Sequence, residues 1–481
     1  MEKTEQGVGR VWRRFLIAAK WTVGVLVVLG LLFVGINWFD EDLSPEAKAL
    51  LIAPPNPYKP EENLYLALLG FDAKEGVSPI TAGQAKVAVY EKEIAAVRKA
   101  PQYVLRIFPD APWQNKEKLE FRGKVDFCLP LTKSCLANVE IHNADIDRML
   151  KTNRELNRRY ANLHGLKGYY ETATPSIYLI SPYAPSPVRQ LYLVNIALRT
   201  QSSVRAQRNA AIADLLADIR TWRLELTGSG ALISKMLAVA YLQGDHALLA
   251  DIIADGKLDL ADASPEIQST LELSEDDWKI GKIVAFEYRI SDFMWDQLRV
   301  TKGRQLLVDS ASEERSWERF FDQISSLFIR INATQNLQAR LATQQQKMAD
   351  AGPAKFFVAL DAYRLWLRDN VEFRVHYIYN PFGKILISIG TSSYENYYLR
   401  AYDGAAFQRL VRLGYEIRNR EIEDKAVPLF IQKHPEWASH PVDGRPFTWD
   451  EKKREIAVQT LGQQPKDRRF SIRVWSAALR K

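Results

Sequence analysis

Two cysteines, Cys128 and Cys135 in the stretch FCLPLTKSC, are the whole thiol complement of the chain. Their spacing is too wide for the C-x-x-C of a thioredoxin-like redox pair, and a zinc site would need two or more further ligands at suitable spacing. What remains is a structural disulfide, with Leu129-Pro130 turning the loop back, or a pair of reduced thiols. The densest set of metal-ligand types is HPEWASHPVD, which carries His434, Glu436, His440 and Asp443. Imidazole and carboxylate are zinc ligands, yet each histidine precedes a proline, which holds the backbone extended and splays neighbouring side chains. A proline-pinned loop is expected there, and no metal or cofactor is assigned. Clustered carboxylates could serve glycoside hydrolysis. Glu275, Asp276 and Asp277 follow Ser274, however, and Asp145 and Asp147 open another helical stretch, where acidic side chains serve the helix dipole. NPFG at 380–383 has the residue order of a type I turn. Each Gly-Lys pair is followed by Val, Leu or Ile, so there is no P-loop, and neither H-E-x-x-H nor G-x-S-x-G occurs. No catalytic residue is assigned.

The fate of the cysteines depends on the compartment, and the N-terminus bears on that. Trp21 to Phe39 reads WTVGVLVVLGLLFVGINWF without a charge. As a helix it would rise roughly 28 Å, close to the bilayer's apolar thickness of about 30 Å. The run leaves through bulky Asn37-Trp38-Phe39 into Asp40, Glu41 and Asp42, unlike the small residues of a cleavage site, so a retained anchor is expected. Lys3, Arg10, Arg13, Arg14 and Lys20 precede it, and positive flanks stay cytoplasmic. Everything after residue 40 is then expected outside, in the periplasm of a bacterium, where nearby cysteines pair. Closing so short a loop would stabilise the fold by about 2–3 kcal/mol through chain entropy.

The formal net charge is +7. Five basic and two acidic groups in the first 39 residues account for three of these charges and leave four on the remainder. That excess is too small and too dispersed for a nucleic-acid partner. With 47% hydrophobic and 26% charged residues the chain has a globular composition.

The expected fold is mainly α: a transmembrane helix, an antiparallel helical-hairpin domain, and a small C-terminal antiparallel β-sheet. Residues 1–20 form a basic tail, 21–39 the span and 40–60 a linker, in which LSPEAKALL starts a short helix with Ser44 as N-cap and Pro45 at the first position before the stiff, extended APPNPYKP stretch. A mixed region with the cysteine loop covers 61–185, with candidate strands at YVLRIF and GKVDF and a long polar helix from Asn143 to about Asn162. Residues 186–440 carry helical periodicity. Ile212, Leu215, Leu216, Ile219, Trp222 and Leu226 share one face; Leu232 to Ala240 and Leu248 to Ile253 follow, and LTGSG and QGD are expected as the short turns between them. Trp317 to Ile331 carries a wide apolar stripe, and Phe407, Leu410, Val411 and Ile417 mark a late helix. Over 441–481 the pattern changes to alternation: a hairpin in RPFTWDEKKREIAVQTL and a third strand in RRFSIRVW, with Phe470, Ile472 and Val474 on one side.

ENLYLALLGFDAKEGVSPITAGQ, YNPFGKILISI and HPVDGRPFTWDEKKREIAVQTLG resemble segments that recur, in this order, in uncharacterised single-pass inner-membrane proteins of proteobacteria with a large periplasmic helical domain. The resemblance implies the periplasmic setting and no particular chemistry. The partners expected are the lipid bilayer, through residues 21–39, and a periplasmic or inner-membrane protein. The function expected is a non-catalytic scaffold of the cell envelope. The competing reading is a cell-wall glycan or peptide hydrolase or transferase, with a cleft between the helices and the C-terminal sheet.

Overall fold

The computed structural model describes residues 2–99, 117–128, 131, 134–178, 180, 185–274, 277, 280–301, 328–371, 378–390, 394–462 and 469–475. YVLRIF and most of the Trp317–Ile331 stripe lie outside them. The chain opens with one long helix, α1 (Glu2–Ile36). Its apolar part, Phe15–Ile36, is long enough to cross a membrane and has no fully buried residue, with Phe33 half-buried near its end. The helix stops earlier than the charge-free run suggests, because Asn37 turns inward and is fully buried while Trp38 and Phe39 remain exposed.

The next segment forms the short helix that Ser44 and Pro45 announce, and it is docked on the domain. Helix α2 (Pro45–Leu51), capped by Ser44, buries Ala47 and packs on two core helices, α11 (Gly281–Thr301) and α12 (Ile331–Asp350). Only the stretch beyond Leu51 is extended, and it too is held down, with the Tyr170 hydroxyl donating to the Pro54 carbonyl at 2.5 Å. Helices α3 (Leu64–Leu69) and α4 (Pro79–Lys99) follow. GKVDF is irregular rather than a strand. The polar helix divides into α5 (Asn143–Thr152) and α6 (Arg154–Leu163). At the break the Asn153 side chain pairs with both backbone groups of Arg122, at 2.8 Å each.

The central layer consists of α7 (Ser186–Thr200), α8 (Arg205–Gly228), α9 (Leu232–Asp255) and α10 (Leu260–Leu271). QGD is no turn: α9 runs straight through Gly244, whose bare Cα faces the Arg189 guanidinium, 3.3 Å from where a Cβ would sit. By length and composition α9 could also cross a membrane, but 72% of it is buried, which makes it a core helix. Packed around this layer are α13 (Phe356–Asn370), α14 (Pro381–Gly390), α15 (Glu395–Asn419) and α16 (Val427–Lys433). NPFG starts α14 instead of making an isolated turn. Asn380 takes a left-handed conformation (φ 51°), and Pro381 occupies the first helical position.

The sheet forms as the alternation predicts. Strands β1 (Thr448–Asp450), β2 (Glu455–Gln459) and β3 (Arg469–Arg473) pair antiparallel in that order, with Ile456 opposite Ile472 and Val458 opposite Phe470. Phe470, Ile472 and Val474 are buried, while Arg469, Ser471 and Arg473 are exposed. The apolar face packs on α15 and α9, the Phe407 and Phe470 rings 4.8 Å apart. One hydrophobic cluster runs from Ala47 to Val474.

Candidate functional site

Cys128 and Cys135 are disulfide-bonded, fully buried, with Cα atoms 4.4 Å apart. The four residues of the proline loop come together only as pairs. His434 meets Glu436 at 3.2 Å and stacks on Trp437. His440 is buried elsewhere: its Nδ1 accepts the Val442 N–H, and its Nε2 faces Asp403 at 3.2 Å. Asp443 lies 3.7 Å from the His440 ring but binds Arg445. Among the described residues no group of three or more such side chains could hold a metal ion. Asp403 also receives the Leu461 and Gly462 N–H groups at 2.8 Å, so this cluster ties α15 to the sheet.

The acidic clusters serve structure in the same way. Glu275 and Asp276 lie outside the described residues. Asp277 is buried, accepts from Ser274 and takes the Arg223 guanidinium at 2.6 Å. Asp145 sits in the first turn of α5 and pairs with Arg148, while Asp147 is exposed.

The structure adds two buried polar clusters that sequence patterning did not single out. In the first, the Arg189 guanidinium is shared between Asp245, which it hydrogen-bonds, and Asp218, 3.7 Å away. Asp218 also accepts the Tyr160 hydroxyl at 2.8 Å and faces His164 Nε2 at 3.2 Å. Burial works against the charged guanidinium, but the two carboxylates outweigh it and hold its pKa above the usual value. Burial also pushes the Asp245 carboxyl up, only partly offset by Arg189. In the second, Glu171 closes the N-terminus of α9. It accepts from Gly230 N–H at 2.7 Å, Ala231 N–H at 2.9 Å and the Ser234 hydroxyl at 2.9 Å, and Glu287 takes Leu232 N–H at 3.1 Å. Burial raises both carboxyls against those hydrogen bonds. Glu225, fully buried beside them, has no hydrogen-bond partner on either oxygen among the described residues and is raised well above the carboxylate range by burial and then by Glu171. His246, also buried, is pushed down to about 3 by desolvation. The available sequence signal was a charge at a core position, as with Asp245 inside the apolar run of α9. Glu287 also reaches a narrow cleft of about 100 Å³ between α11, α12 and α15 that Ser291, Gln338 and Tyr398 line with it.

The most specific arrangement is the joint between α1 and the domain. Asn37 Nδ2 donates to the Ile378 carbonyl at 2.8 Å, and its Oδ1 accepts the Asn380 N–H at 2.8 Å. Asn380 in turn donates to Thr334 Oγ1 at 2.9 Å and accepts the Arg330 N–H at 2.9 Å. Helix α12 has no side-chain cap of its own, and Asp40 supplies one from nearly 300 residues away in sequence, accepting Asn332 N–H at 2.9 Å and Ala333 N–H at 3.0 Å. Asn336 completes the joint through the Asp42 carbonyl at 2.9 Å and the Ser44 N–H at 2.8 Å. Such an arrangement fixes the direction in which a helix leaves a domain.

Comparison of the chain with models of known families, with curated proteins and with solved structures finds no match.

Proposed function

We propose that the chain is a single-pass protein of the bacterial inner membrane, with its N-terminus cytoplasmic and the helical domain in the periplasm. There the domain acts as a non-catalytic scaffold for another envelope protein. The observation that carries this reading is the joint: an unburied apolar helix runs directly into a hydrogen-bonded socket, which suits a domain held in fixed orientation at a membrane. The basic residues before the span favour that orientation, and a buried disulfide suits an oxidising compartment. The grouping with the proteobacterial proteins named above belongs to the same reading.

A reporter fused after Lys481 is expected to be active as a periplasmic fusion, with the protein kept in the membrane pellet after a carbonate wash. A cytoplasmic signal overturns the orientation, and release by carbonate overturns the anchor. Glu287→Gln tests for acid–base chemistry at the cleft between α11, α12 and α15. Its amide oxygen still accepts the Leu232 N–H, so folding is kept while acid–base capacity is lost. Complementation of a deletion strain by this variant is expected to equal the parent's; a folded but inactive variant overturns the non-catalytic reading.

A further inference from the structure

Helix α14 presents an apolar face away from the protein. Gly383 and Ile387 are buried, and a Cβ on Gly383 would lie 1.9 Å from Thr334 Oγ1, so this edge is pressed onto the first turn of α12. Phe382, Ile385, Leu386 and Ile389 fall at i, i+3, i+4 and i+7 on another side, the first three half-buried and Ile389 80% exposed. Lys384 and Ser388 share an edge between the two faces. In an ordinary soluble domain the outward face of a helix this short would be polar.

The depth of this face is set by aromatic contacts with the anchor. Phe33 lies within the apolar span, roughly 4.5 Å short of its end at Ile36. Its ring is 5.0 Å from that of Phe328, which is 6.5 Å from the ring of Phe382 at the start of α14. A side chain that touches the last turn of a membrane span sits at the same level in the bilayer. Trp38 and Phe39, 69% and 75% exposed, leave the span at that level, where amphipathic rings favour the headgroup layer.

We propose that α14 lies in the interfacial layer of the bilayer that α1 crosses, with the Phe382–Ile385–Leu386–Ile389 face against lipid and Lys384 at the headgroup edge. This gives the domain a second membrane contact, that of an interfacial amphipathic helix, and it rests on the reading of α1 as an anchor. The test uses the full chain in vesicles of phosphatidylcholine and phosphatidylglycerol, with an environment-sensitive fluorophore on an introduced thiol; the native cysteines are bonded to each other and do not compete. Labels are placed by Ile389→Cys, by Val27→Cys within the span, and by Val204→Cys between α7 and α8. The Ile389→Cys label is expected to lose fluorescence to chain-spin-labelled lipid as the Val27→Cys label does, while the Val204→Cys label responds only to aqueous iodide. Quenching of the Ile389→Cys label by iodide and not by lipid overturns the proposal. So does protection from both quenchers, which would place a second copy or a partner helix on this face. If the Val27→Cys label is not lipid-quenched, the anchor reading itself fails, and that outcome is distinct from the other two.

Discussion

Glu225 and Arg189 show how much charge the domain buries and how differently the two sites are supported. Glu225 has a carboxyl with no partner and a folded pKa well above the value near 4.5 that it has when exposed. Between those two pKa values the native state holds one more proton than the unfolded chain, so stability falls as pH rises through that window, by about 1.4 kcal/mol per pH unit. Glu225→Gln removes the titration at nearly constant shape. Its Tm is expected to exceed the parent's at pH 8 and to match it near pH 4, which thermal melts across pH would show. Arg189 has the opposite role, as the cation between Asp218 and Asp245. Arg189→Met strands both carboxylates and is expected to lower unfolding stability by about 3–5 kcal/mol in urea titration. The triple variant R189M/D218N/D245N is expected to recover much of that loss.

At the scale of elements, period and composition made most helices and all three strands legible, because each buries a face that the sequence writes locally. The errors fell where a distant residue decides the geometry. QGD reads as a turn until Arg189, 55 residues earlier, is seen lying against Gly244. NPFG reads as a turn because a type I turn and the start of a helix share their first backbone angles. The polar helix breaks at Asn153 because Arg122 supplies the hydrogen bonds. None of the joint's pairings has a local signature. Two elements can be tested directly. Gly383→Ala sets a methyl into Thr334 and both polar atoms of the Asn380 side chain, so it is expected to destabilise the α12–α14 contact by about 1–3 kcal/mol, read as a lowered urea midpoint. Ile472→Asp buries an unpaired carboxylate where the sheet meets α15 and is expected to lower the Tm of the whole domain in one transition. A separate early transition, with the helical melt unchanged, would mean that the sheet is only an appendage.

Across the whole molecule, the general plan of apolar helix, helical domain and terminal sheet was readable, while the way the first part meets the second was not. The short helix after Ser44 was readable, but not that residues 37–51 are built into the domain. Asp40→Ala removes the cap of α12 and is expected to lower stability by about 1 kcal/mol, a loss that calorimetry of the detergent-solubilised chain would register. The stiffness of that joint has a mechanical consequence. A helix advances about 100° per residue, so one alanine inserted between Val34 and Gly35 turns the apolar part of α1 by that angle relative to the domain, whereas an insertion into a slack tether would turn nothing. Apolar helix and domain are joined as shaft and head of one tool, so a turn of one is carried into the other.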